Sequence, residues 1–251
     1  MGLITVITSG KGGVGKSTVS VGLGCTLAKN KKRVLLIDGD AGLRSLDSML
    51  GIDKELVFDI ADIVNGNCEP IKAIYSCKEY TGLENLFMLP APALEKHTIN
   101  PGIMKQLIPI LSRYYDHVLI DCPAGIGKGF VSAVAAANRA LIVSTPDHVC
   151  IRDSGKVRQL LNEYGITQQR LIINRFNYHT FRKMKHYQDI DTIIDETGVR
   201  LIAVLPDDLH LQINPAKAVM DNPRASGPMA LQRLAVRLEG ESVPLFPLEK
   251  L

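Results

Sequence analysis

Along this chain short, almost uninterrupted apolar runs such as VLLI and LIVS alternate with longer segments in which apolar residues return every three or four positions. The runs at 3–8, 33–38, 86–89, 117–121, 140–145, 170–174 and 201–205 are predicted as strands. Because they are apolar at successive rather than alternate positions, both faces of their sheet must be covered. The segments 16–29, 101–114, 128–137, 151–164, 189–197, 210–220 and 228–238 are predicted as helices. Strand and helix alternating in this order imply right-handed crossovers, and hence an α/β fold: a mostly parallel twisted sheet with helices on both faces, in three layers.

Ligands of such sheets sit beyond the carboxyl ends of the strands, which makes a test of where the polar residues fall. Residues 9–17 follow the first predicted strand, Asp38 and Asp40 the second, Asp121 the fourth, 145–147 the fifth, Asn174 the sixth, and Asp207 with Asp208 the last. A chain without a site would scatter such residues between both ends of the sheet.

Composition narrows the picture only a little. A length of 251 residues, 46% of them hydrophobic, suits one globular domain over 1–240 followed by a tail at 241–251. A net charge of +3 is too small to imply a polyanionic partner by itself. No apolar run is long enough to span a bilayer and no basic leader opens the chain, so the expected location is the cytoplasm. Cys25, Cys68, Cys77, Cys122 and Cys150 lack C-x-x-C spacing and read as free thiols, Cys25 and Cys150 as small buried hydrophobes.

The chemistry concentrates in SGKGGVGKST at 9–18, where Gly10, Gly15, Lys16 and Ser17 satisfy G-x-x-x-x-G-K-[ST] between a strand and a helix. The expected phosphate cradle is Gly10, Lys11, Gly12, Gly13, Val14, Gly15, Lys16, Ser17 and Thr18, whose backbone N–H groups and helix N-terminus supply a positive field. Lys16 should reach the β and γ phosphates of ATP and the Ser17 hydroxyl should ligate Mg²⁺. Asp121, ending HVLID, is the partner carboxylate for the metal; alone, a strand-end aspartate would read as a turn former. Asp38 ends the adjacent strand and is placed to hold a water on the same ion. Lys11 is a second loop lysine, either solvated or acting on phosphate.

SGKGGVGKST, LLIDGDAGLRSLDSMLG, LIDCPAGI, IRDS and INRFN together resemble the deviant Walker A ATPases of the MinD/ParA family, over about residues 3–238. The resemblance implies an ATP-dependent homodimer in which Lys11 crosses to the partner's phosphates, and a slow ATPase stimulated by a partner. It makes Asp40 the residue that orients the attacking water, 42–50 and 121–127 the two switch segments, and Asn174, with Arg175 beside it, the adenine contact. Pro206, Asp207 and Asp208 would close the far side of the base, and Arg152 with Asp153 would contact partner proteins, unless they form only a local salt bridge. Features such as GLRSLD and DCPAGIGKGF lean toward the branch that places the bacterial division site, whose ATP-bound dimer recruits a septation inhibitor, answers to a topological regulator and lies on the inner face of the membrane.

Two features depart from that branch. Pro244 and Pro247 disfavour a helix in the tail and Lys250 is its only cation, so Leu245, Phe246, Leu248 and Leu251 are not predicted to form a basic amphipathic membrane helix. Lys128 adds a charge beside the second switch. Other readings stay open. The run RFNYHTFRKMKHYQ, with Arg175, Arg182, Lys183, Lys185 and His186 among aromatics, would suit a DNA-surface positioning ATPase of ParA type, or is simply a solvated loop beside the nucleotide; the main reading needs no nucleic acid. Cys122 paired across a dimer would suit a metal-centre maturation ATPase, and a small-molecule kinase would use the same loop.

Overall fold

The structure is a computed structural model, which describes residues 2–94, 99–184 and 187–250. Lys185, His186 and Leu251 lie outside the described residues. The strands are β1 (Leu3–Thr8), β2 (Val34–Asp38), β3 (Tyr75–Ser76), β4 (Leu86–Leu89), β5 (His117–Asp121), β6 (Arg139–Ser144), β7 (Gln168–Phe176) and β8 (Leu201–Pro206). They form one sheet in the order β3-β4-β2-β5-β1-β6-β7-β8, parallel throughout except for the β3–β4 pair. The helices are α1 (Lys16–Lys29), α2 (Leu46–Leu50), α3 (Ile60–Val64), α4 (Lys78–Thr81), α5 (Pro101–Leu111), α6 (Lys128–Val134), α7 (His148–Glu163), α8 (Tyr178–Met184), α9 (Ile190–Thr197), α10 (Leu209–Ile213), α11 (Pro215–Asp221) and α12 (Ser226–Leu238).

The continuous apolar runs have the expected cause. Leu36 of β2 and Leu119 of β5 pack into the cluster under α1, α11 and α12, while their neighbours Leu35, Ile37, Val118 and Ile120 pack into the cluster under α5, α6, α7 and α9. Successive side chains point to opposite faces, and every residue of β2 and β5 is buried. The three-layer α/β arrangement predicted from the pattern is therefore the observed one.

Several boundaries differ. Residues 210–220 are two helices, because Asn214 ends α10, its side chain caps α11 through Lys217 N–H, and Pro215 has no N–H with which to continue the first. Helix α7 starts at His148, capped by Asp147, which accepts from Cys150 N–H at 3.1 Å. Helix α5 stops at Leu111 and tightens into a 3₁₀ turn over Ser112–Tyr114. Helices α2, α3 and α4 and strand β3 are too short to carry a period.

Among its described residues the basic and aromatic run is largely strand and helix rather than a solvated loop. Strand β7 extends through Phe176 and α8 comes next, with Phe176, Phe181 and Tyr187 buried and the first two rings 5.1 Å apart. Arg175, Arg182 and Lys183 are exposed, as are Asn177, His179, Thr180 and Gln188, whereas these three aromatics are core and are not available to stack bases. The described residues after α12 carry no helix beyond a 3₁₀ turn over Leu248–Lys250; Phe246 and Leu248 pack against the two core clusters, and Arg233 and Arg237 donate to the carbonyls of Pro244 and Val243.

Candidate nucleotide site

The loop between β1 and α1 is shaped by glycine at two positions. Gly15 is the N-cap of α1 at φ +94°, and a Cβ there would fall 2.3 Å from Asn174 Nδ2. A Cβ on Gly10 would fall 2.6 Å from Asp153 Cβ, so the loop and α7 can approach only because that atom is missing.

The two loop lysines are segregated. Lys16 is 8% exposed and donates from Nζ to Ser9 Oγ at 3.0 Å, and Ser9 Oγ in turn donates to the Lys11 carbonyl at 2.7 Å. Lys11, with Gly12 and Gly13, is exposed.

Beside the loop, Asp38 and Asp121 lie in register on adjacent strands. Asp121 accepts from Ser17 Oγ at 2.6 Å and from Ser20 Oγ at 2.8 Å. Asp38 accepts from the N–H groups of Asp40 and Leu46 at 2.9 and 3.1 Å. Burial pushes the Asp38 carboxyl up to about 7, the neighbouring Asp121 charge adding to it. Burial likewise pushes Asp121 up to about 6, against the pull of Ser17, Ser20 and Lys16. Two crowded carboxyls and a hydroxyl form an all-oxygen donor set short of positive charge, which fits Mg²⁺ better than a softer ion.

Asp40, half-buried, opens onto a groove of about 770 Å³ lined also by Leu43, Pro123, Ala124, Lys128 and Phe130. Metal-side residues therefore collect on the β2–β5 side of the loop. On the other side stand Asn174 and Arg175 of β7 and Pro206, Asp207 and Asp208 at the end of β8. Asn174 is buried and donates from Nδ2 to the Val14 carbonyl at 2.8 Å. Arg175 is exposed at φ +53°. Asp207 accepts from Gln212 Nε2 at 2.7 Å, and Asp208 caps α10 through His210 N–H at 2.9 Å. Arg152 is exposed and pairs with Asp153 at 3.4 Å, where Lys156 also reaches Asp153 at 3.2 Å. The local salt bridge is thus present, on a helix packed against the phosphate loop.

Sequence reasoning missed Ser20, Ser45 and Arg44. Ser20 stands three residues beyond Ser17 on the same helix face, a spacing that was readable. Ser45 Oγ donates to Ser17 Oγ at 3.1 Å from the segment before α2, a contact no local spacing announces.

Cys122 is 1% exposed, and burial pushes its thiol up to about 12. Among the described residues no group of three or more His, Cys, Asp or Glu is placed to hold a metal.

A glycine loop at the head of a parallel sheet, a buried lysine within it and two carboxylates on the neighbouring strands define a P-loop nucleoside triphosphatase. Comparison with known proteins agrees. The family described as "ParA: NUBPL iron-transfer P-loop NTPase" matches residues 2–221. The septum site-determining protein MinD of Thermotoga maritima is 40% identical over 250 residues, 98% of this chain and 91% of that protein. Among solved structures, a chain of the MinC:MinD cell division protein complex of Aquifex aeolicus superposes with a TM-score of 0.87 at 34% identity, covering 98% of both chains. MinD of Pyrococcus horikoshii complexed with Mg-ADP gives 0.83 at 31% identity, covering 95% of this chain and 96% of that one. The chain belongs to the MinD/ParA family of dimerising P-loop ATPases.

Proposed function

We propose that the protein is an ATP-switched homodimer of the MinD type, which hydrolyses ATP slowly until a partner accelerates it and which, in its ATP-bound form, recruits a septation inhibitor to place the division site. The observation that carries this reading is the segregation of the two loop lysines, Lys16 buried against Ser9 and Lys11 exposed. A single phosphate site served by one subunit would not need the second.

In this reading Lys16 and the loop amides hold the β and γ phosphates. Ser17 and Asp121 would hold Mg²⁺ and Asp38 would hold a water on it; when bound, the ion would offset charge developing on the phosphates. Asp40, at the groove, orients the attacking water. Lys11 reaches the phosphates held by the other subunit, so hydrolysis waits for two loaded protomers; a charge delivered in trans in this way is worth ~10³ to 10⁵ in rate where an arginine finger supplies it. Asn174 turns one amide proton to Val14 and keeps its carbonyl oxygen for the adenine amine, with Arg175 and residues 206–208 around the base. Arg152 and Asp153, on α7 beside the loop, are the surface for the inhibitor and the topological regulator. The expected location is the cytoplasm, with the ATP-bound dimer on the inner face of the membrane.

Light scattering with ATP tests the switch. The wild-type chain should become dimeric, Lys16→Ala and Lys11→Ala should remain monomeric, and Asp40→Ala should give a long-lived dimer. ATP turnover measured with liposomes and with random duplex DNA distinguishes surfaces: stimulation by DNA alone would replace this reading with a ParA-type one.

A further inference from the structure

The segment between β2 and α2 turns through left-handed backbone twice, at Gly42 (φ +91°) and at Arg44 (φ +37°). Glycine adopts that conformation freely and arginine does not, so Arg44 must be held. Its own side chain supplies the hold. Nη2 donates to Asp59 Oδ2 at 2.6 Å and Nε donates to the Ala91 carbonyl at 2.8 Å, with both partners of the ion pair largely shielded from solvent. Asp59 is fixed in turn: its Oδ1 caps α3 by accepting from Ala61 N–H at 2.8 Å, and its Oδ2 accepts from Ala93 N–H at 3.1 Å. Gly42 N–H adds a bond to the Pro92 carbonyl at 3.0 Å. The segment is therefore tied to the loop after β4.

Ser45 and Leu46, next along the chain, connect this tie to the metal side. Ser45 donates to Ser17 Oγ at 3.1 Å, and Leu46 N–H donates to Asp38 Oδ2 at 3.1 Å. The two residues after the strained one thus touch two of the oxygen groups assigned to Mg²⁺. A backbone relaxed at Arg44 would swing both away together.

We infer that Arg44 is a positioning residue: its fork on Asp59 and Ala91 holds residues 40–46 in the strained form that sets Ser17 and Asp38 for the metal-bound nucleotide. The inference rests on the nucleotide reading of the site. It makes Asp59, twenty-one residues beyond Asp38 in sequence, part of the support of the metal side.

Amide hydrogen exchange on the full, nucleotide-free chain tests the tie directly. Arg44→Ala and Asp59→Asn should speed exchange across 40–46 by about tenfold, the scale of one lost charge-assisted bond, while the central amides of α1 keep their protection. Arg44→Lys should fall between, because an ammonium keeps the charge without the planar fork. In ATP turnover the Mg²⁺ concentration for half-maximal rate should rise about tenfold in Arg44→Ala, and the rate at saturating Mg²⁺ should change less. Unchanged exchange at 40–46, or acceleration spread evenly over the whole chain, would overturn the inference. A wild-type chain that does not hydrolyse ATP would overturn the functional reading instead, and the exchange data would still decide whether Arg44 holds the segment.

Discussion

Asp38 and Asp121 face the same side of the phosphate loop from adjacent strands, in register, with Ser17 bonded to one and the segment leading to α2 bonded to the other. Such a pair gains most from a divalent cation, which removes the repulsion between the carboxylates. ATP with Mg²⁺ should raise the melting temperature; at a hundred times the dissociation constant the gain is about 2.7 kcal/mol. Asp121→Asn should abolish the part of that gain that EDTA removes from the wild type, as differential scanning fluorimetry would record.

Gly15 combines a left-handed backbone with an amide nitrogen 2.3 Å from where a Cβ would stand. Gly15→Ala should destabilise the chain by about 1–3 kcal/mol in urea unfolding. It should also remove binding of a fluorescent ATP analogue. Adding Asn174→Ala relieves the contact but not the backbone, so the double variant should recover part of the stability and none of the binding.

How much of this was legible depended on whether the cause was local. The phosphate loop is written in ten consecutive residues, and Asp38 and Asp121 each end an apolar run, so pattern read together with the loop located them. The seven longer strands were readable because helices cover both faces, whereas β3, two residues long, has no period to read. Asn214–Pro215 did announce the break between α10 and α11, yet the apolar spacing across 210–220 masked it. The Arg44–Asp59 pair could not be found, since no spacing rule relates a turn residue to the cap of a later helix. The run after β7 misled because cations and aromatics alternate in sequence but separate in space, the charges outward and Phe176 and Phe181 inward.

That separation predicts how Phe181 behaves. A surface aromatic can be truncated with little effect on stability, within about 0.5 kcal/mol. Phe181 is 8% exposed and packs on Phe176, so Phe181→Ala should cost about 3–5 kcal/mol in urea unfolding. Arg182→Ala, on the exposed face of the same helix, should leave the unfolding midpoint almost unchanged.

At the opposite end of the sheet from the nucleotide loop, His117 begins β5 with 1% of its surface exposed. Its Nε2 lies 2.7 Å from Glu239 Oε1, at the end of α12, and its Nδ1 lies 3.5 Å from Arg139 Nη2; Glu239 also pairs with Lys32. Burial pushes the imidazole below its ordinary value; Glu239 pulls it up and Arg139 pushes it further down, and the net direction is downward. The ring is therefore neutral at pH 7 and donates from Nε2 to the carboxylate. Below the unfolded value of about 6.5 the unfolded chain takes up a proton that the folded chain resists, so this contribution to stability is present above that pH and is lost as pH falls toward the folded value. Asp38 and Asp121, whose raised carboxyls act in the opposite sense as pH falls, are shared by wild type and variant and drop out of a difference. Urea unfolding of the wild type and of His117→Gln, which can still donate to Glu239 but cannot titrate, should diverge steadily from pH 7 to pH 5, with the wild type losing more. Parallel curves over that range would mean that the imidazole is as easily protonated in the folded protein as in the unfolded one.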